Sequence, residues 1–166
     1  MIARVASIVD ALDRSRWVPA LLVRLFVGYF FAVTGWAKVQ NLDTMTGRFT
    51  EWGIPFPAFS AALSGSTELI GGALIVVGLL TRLAAIPLGV NMAVAIATVN
   101  IKRVGGLDEF VELSEPLYAL VFLWLVFTGP GRVSLDALLA RWLAPSGATS
   151  QRPGQPSTTT SPSAPR

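Results

Sequence analysis

The chain has 166 residues, of which 52% are hydrophobic and only 14% charged, with a mean hydropathy of +0.59. Soluble domains carry about 25% charged residues, so this is an integral membrane protein, and its length suits one small domain of about four spans. A pI near 10.0 does not indicate nucleic acid, because the 13 basic residues are scattered and several flank apolar runs as membrane anchors do.

There is no Cys and no His. Thiol relays, thiolate-held iron–sulfur clusters and histidine-held haem are therefore excluded, and zinc lacks its usual ligands, so no metal site is expected. Any redox role must use a partner's cofactor or a diffusible quinone.

The N-terminal segment, residues 1–16, holds Arg4, Asp10, Asp13, Arg14 and Arg16 and is too charged for a signal sequence. Ile2, Val5, Val9 and Leu12 recur at helical spacing, which fits either a helix lying on the inner membrane surface or a frayed terminus. The first expected span is 17–39. Arg24, Gly28, Phe31, Gly35 and Lys38 fall on one face of it, and a stripe of charges and glycines faces protein rather than lipid. Arg24 lies only ~8–10 Å inside the membrane by helix rise, so it can face the bundle or snorkel to the headgroups. Lys38 sits at the opposite rim, where it reads as an anchor.

Residues 41–57 connect the first two spans. Asp43 is a candidate N-cap, and Met45, Phe49 and Trp52 follow at the spacing of one interfacial helix. Gly53, Pro55 and Pro57 break it.

Residues 58–80 form the second span, with Glu68 as its single ionisable group. Glu68 lies ~15 Å below one edge, where a charged group costs at least roughly 2.5 kcal/mol unless it is paired, protonated or facing a polar cavity. Ala61, Ser64, Gly65, Gly71 and Gly72 share its face, so a second helix can approach closely there. Two readings stay open for Glu68: a proton site, or a residue that only fixes helix pairing. A protonated carboxyl hydrogen-bonded toward Asn91 or Ser64 is expected for much of the time near neutral pH, with Arg24 as the alternative ionic partner.

A short turn at Thr81 and Arg82 makes the second and third spans antiparallel neighbours. The third span, 83–99, carries Pro87 and, near its middle, Asn91, the best neutral partner for Glu68. A polar connection with Lys102, Arg103, Asp108, Glu109 and Glu112 follows. The fourth apolar run, 116–128, reaches only ~20 Å, so its helix must begin earlier and draw Glu115, or with a longer extension Glu112 too, toward the membrane. After Gly129-Pro130-Gly131, Ser134 reads as the N-cap of an amphipathic interfacial helix within 132–144, with Asp136 in its first turn and Leu135, Leu138, Leu139 and Trp142 on its apolar face. The Pro/Ser/Thr-rich tail, 145–166, is expected to be disordered.

With both termini cytoplasmic, Arg4, Arg14, Arg16, Arg82, Arg132, Arg141, Arg152 and Arg166 lie inside, against Lys38, Arg48, Lys102 and Arg103 outside. That balance favours this orientation in a bacterial inner membrane.

Four segments in order, RLFVGYFFAVTGWAK, GIPFP, STELIGGALIVVGLLTR and GPGRVSLDALL, resemble the DoxX family of small bacterial membrane proteins. The family pattern falls here on Arg24, Gly28, Gly35, Lys38, Glu68, Gly78, Thr81, Arg82 and Asp136. The resemblance implies an all-α, four-helix transmembrane bundle over 17–131. It also implies association with quinone-linked respiratory or sulfur-oxidising complexes, while more distant relatives look like membrane chaperones or cargo receptors.

Three functions follow as expectations. One is a membrane subunit that binds quinone or docks a membrane or peripheral oxidoreductase, with Glu68, Arg24, Asn91, Lys38 and Arg82 as the polar set and Tyr29 and Trp36 available to pack a ring. Another is a non-enzymatic scaffold or assembly factor. The third, a small proton-coupled carrier, is disfavoured by the lack of a visible internal repeat. Gly28, Gly35, Gly65 and Gly72 are the expected helix-packing positions, and a homo-oligomer is compatible with all three.

Overall fold

The computed structural model describes residues 15, 17–100 and 104–143, and over those residues the chain is helical with no strand. The interfacial helix expected near the N-terminus, the tail expected to be disordered, and Lys102 and Arg103 lie outside the described residues. The helices are α1 (Trp17–Gln40), α2 (Leu42–Glu51), α3 (Pro57–Val77), α4 (Thr81–Ala95), α5 (Leu107–Glu112), α6 (Ser114–Thr128) and α7 (Leu135–Leu143). A π-helical turn, Ile96–Asn100, continues α4.

Among the described residues three helices are long and apolar enough to cross a membrane: α1, α3, and α4 with its extension to Val99. The fourth apolar helix is shorter than a span. It starts at Ser114, two residues before the apolar run, and takes Glu115 into its first turn. The helix cannot run back into α5, because Pro116 has no N–H for the Glu112 carbonyl and its ring would clash there. Leu113 is accordingly extended, at φ −68° and ψ 142°.

Glycines set how α1 meets α3. A Cβ on Gly35 would come within 2.7 Å of the Leu69 Cα, and one on Gly72 within 2.7 Å of the Gly28 carbonyl oxygen. A Cβ on Gly28 would lie 2.9 Å from the Val76 nitrogen, and one on Gly65 would lie 3.1 Å from the Lys38 Cβ. All four expected packing glycines therefore sit where two antiparallel backbones touch. Lipid offers helices no hydrophobic drive to associate, so close van der Waals contact must supply it.

The other apolar helices join through larger side chains. Leu88 of α4 fills the space over Gly71, and Phe122 of α6 packs edge-on against Phe31 of α1 at 4.9 Å between ring centroids. Tyr118 stacks on Phe30 and meets Phe31 edge-on. Val27, Phe31, Ile75, Leu88, Phe122 and Leu125 form the buried core. The short α2 lies against α3 and buries Phe49 beside Trp52. Its N-cap is Asn41 rather than the expected Asp43, which falls in the first turn instead, where a carboxylate still favours the helix dipole.

The turn from α3 to α4 falls earlier than the hydrophobic pattern suggests: Gly78, Leu79 and Leu80 make it, and Thr81 and Arg82 open α4 instead. Gly78, at φ +72°, closes α3 with a Schellman pair: its N–H reaches Ile75 O at 3.2 Å, and Leu79 N–H reaches Leu74 O at 3.0 Å. Leu80 is left-handed too, at φ 49°, which costs a side-chain-bearing residue roughly 1–2 kcal/mol.

Candidate functional site

Glu68 lies near the middle of α3, and its side chain is 2% exposed. It ends on the face flanked by Gly65 and Gly72, where α1 and α4 both come close. Lys38 Nζ of α1 donates to Glu68 Oε1 at 2.6 Å, and Asn91 Nδ2 of α4 donates to the same oxygen at 2.8 Å. Thr34 Oγ1 lies 3.4 Å from Oε2 and 3.2 Å from the Phe31 carbonyl, so its single proton is shared between two acceptors. One carboxylate oxygen is thus fully bonded from two helices, while the other has only a long contact.

Asn91 is the neutral partner that the sequence suggests. Lys38 is not the rim anchor expected of it. In the antiparallel register its Cβ sits over Gly65, and the glycine leaves room for the lysine stem to turn inward onto Glu68. The ammonium thus lies against the Glu68 carboxyl group, a partner that the sequence did not suggest. Its side chain remains 28% exposed, so the ion pair has a path outward on the lysine side alone. Thr34 is the member the sequence reading missed. It lies four residues before Lys38, on the same face, but a threonine in an apolar helix usually bonds its own backbone.

Arg24 and Arg82 do not join this site. They form a second polar node ~15 Å away, at the end of the bundle where α3 turns into α4. Arg24 is 3% exposed and its Nη1 donates to the Pro130 carbonyl. Arg82 is exposed and its Nη2 donates to the Phe127 carbonyl at 3.3 Å. Arg82 thus meets a carbonyl of the last turn of α6, where helical partners run out, and Arg24 meets one just beyond the helix end. Arg24 is thus neither the ionic partner of Glu68 nor a snorkelling residue.

Asp136 completes that node. Its Oδ1 accepts from Leu80 N–H at 3.0 Å, and its own N–H donates to Gly78 O at 3.1 Å. Ser134 Oγ accepts from Ala137 N–H at 3.1 Å and caps α7 as expected. Asp136, expected only to complement a helix dipole, instead ties α7 to the strained α3–α4 turn.

Tyr29 and Trp36 are 67% and 55% exposed and face away from Glu68. An open cleft of about 370 Å³ runs between α1 and α6, walled by Pro19, Ala20, Val23, Leu120, Val121 and Trp124. Another, of about 430 Å³, lies beside Arg24 and α7. Neither cleft is lined by Glu68, Lys38 or Asn91. Among the described residues no cluster of His, Cys, Asp and Glu is arranged to hold a metal.

The family model for DoxX matches residues 20–101. The chain is 35% identical to an uncharacterized membrane protein of Mycobacterium tuberculosis, over 77% of this chain and 85% of that protein. It is 34% identical to an uncharacterized protein of Haemophilus influenzae, over 75% of this chain and 93% of the relative. A Bacillus subtilis protein named "Putative oxidoreductase CatD" is 32% identical, over 75% of this chain and 90% of its own length. No solved structure matches.

Proposed function

Because this chain belongs to the DoxX family of membrane proteins, we propose that it is a membrane subunit of a redox or quinone-linked complex, in which Glu68 is the proton-exchanging group. The observation that carries this reading is the buried Lys38–Glu68–Asn91 node, since intramembrane ionisable groups are expensive and mark functional sites by default. The oxidoreductase name of one relative supports the redox setting. In this reading, withdrawal of Lys38 toward the headgroups leaves the carboxylate without its counter-charge. Glu68 then takes up a proton, and it releases the proton when the ammonium returns.

In this reading the chain does not hold a quinone ring at Glu68 by itself, since Gly35 and Gly65 bring the α1 and α3 backbones together beside it. Any ring site is therefore completed, in this reading, by a partner oxidoreductase, membrane-bound or peripheral. In this reading the bundle has four spans, α1, α3, α4 and α6. Support for the fourth comes from Phe122 and Leu125, which bury α6 against the other helices. The distribution of basic residues supports two cytoplasmic termini in a bacterial inner membrane.

A second reading, a non-catalytic scaffold or assembly factor, is favoured by the donation of both neighbouring helices to one oxygen of Glu68, as in a structural pin. Purification of the native complex in mild detergent, with mass spectrometry of the proteins and lipids retained, separates the two. A co-purifying dehydrogenase or quinone, with complex activity whose pH dependence disappears in Glu68→Gln, supports the first. A client membrane protein with no redox partner, and an indifferent Glu68→Gln, supports the second.

A further inference from the structure

The cleft beside α7 combines features that the Glu68 site does not use. Arg24, Arg132 and Arg141 line it, and its walls are apolar, including Val77, Leu135 and Leu138. Arg24 is almost wholly buried. Its Nη1 is taken by the Pro130 carbonyl, while its Nε is buried with no hydrogen-bond partner. A buried guanidinium N–H without an acceptor is costly, and the Nε edge is one that meets phosphate oxygens in the paired geometry arginine favours. Asp136 is the acidic neighbour acting on Arg24, and its Oδ1 is engaged by the Leu80 N–H. The three guanidinium groups therefore outnumber the acid.

From this we infer that the cleft is a binding site for the phosphate of an anionic membrane phospholipid, drawn from the leaflet at the α3–α4 turn. Arg24 would receive the phosphate from within, Arg132 and Arg141 would hold it from the rim, and the apolar walls would lie along the start of an acyl chain. The lipid, rather than free phosphate, is indicated by those walls and by α7 itself. Leu138, Leu139, Trp142 and Leu143 of α7 are all exposed, an apolar side suited to the acyl boundary. Basic pockets between membrane helices bind lipid headgroups by this combination of charge and shape. The site is independent of any proton chemistry at Glu68.

The full chain can be tested in nanodiscs of phosphatidylcholine alone and with phosphatidylglycerol added, read by native mass spectrometry and by thermal unfolding. Wild type should retain phosphatidylglycerol and unfold at a higher temperature when it is present. Arg132 and Arg141 are both exposed, so the pair Arg132→Gln and Arg141→Gln should fold as wild type does in phosphatidylcholine. That variant should bind phosphatidylglycerol on the order of 30-fold more weakly. Arg48→Gln, on α2 at the other end of the bundle, should change nothing. Equal retention of the two lipids by wild type, an unaffected double variant, or equal stabilisation by inorganic phosphate would each overturn the proposal.

Discussion

Replacing Lys38 by Met removes the ammonium and keeps most of the side-chain volume. At 2.6 Å and an effective dielectric of about 20, the raw attraction to Glu68 is roughly 6 kcal/mol, before desolvation of both groups is subtracted. Breaking a buried pair typically costs ~3–5 kcal/mol. Here Asn91 still donates to the carboxylate and Lys38 is 28% exposed, which brings the expected loss to the bottom of that range or just below it, at about 2–3 kcal/mol. Lys38→Met combined with Glu68→Leu should recover most of it, because an apolar pair of similar volume no longer carries an unpaired charge. The assay is unfolding in mixed micelles of rising denaturing-detergent fraction, for the two single variants and the double. A coupling energy near 2 kcal/mol is expected, well above the ~0.6 kcal/mol average of polar contacts between membrane helices. A coupling no larger than that average would refute the assignment of Lys38 as the ionic partner of Glu68.

Glycine substitutions should split by position. Gly35→Ala drives a methyl into the α3 backbone, at 2.7 Å from the Leu69 Cα, and should cost about 1–3 kcal/mol or prevent assembly of α1 on α3. Gly47→Ala, in the exposed middle of α2 with nothing within 4 Å, should instead stabilise by roughly 0.5–1 kcal/mol; the same micelle titration reads both. Asp136→Ala frees the Leu80 N–H and releases α7, at an expected cost of about 1–3 kcal/mol and with faster hydrogen exchange at Leu80. Leu80→Gly removes the left-handed strain at φ 49° and should offset part of that loss when combined with Asp136→Ala.

The sequence carries the α1–α3 interface almost completely. Gly28 and Gly35 on one helix, and Gly65 and Gly72 on the other, repeat at the same interval, and in an antiparallel pair both sets face inward. Glu68 and Asn91 are legible for a related reason, since an apolar helix exposes few polar groups and those must find each other. Lys38 is not legible, because its inward turn depends on Gly65 lying opposite it, and that register is a tertiary fact. Arg24 misleads from the same cause. Depth along one helix cannot reveal that the segment after α6 brings the Pro130 carbonyl beside it. Asp136 has an ordinary first-turn role that fully accounts for it locally, and only the folded chain brings the strained Leu80 within its reach. The start of the fourth apolar helix turns on Pro116, which blocks its continuation back into α5 and leaves α6 as Ser114–Thr128.

Infrared difference spectroscopy on the purified protein bears most directly on whether Glu68 exchanges protons under the control of Lys38. In wild type the paired carboxylate should contribute an ionised-carboxylate band that is lost in Glu68→Gln. In Lys38→Met the counter-charge is gone, and a protonated-carboxyl band should appear that is missing from Lys38→Met combined with Glu68→Gln. A Lys38→Met spectrum indistinguishable from wild type across the pH titration would contradict the proposal and leave Glu68 as a structural pin.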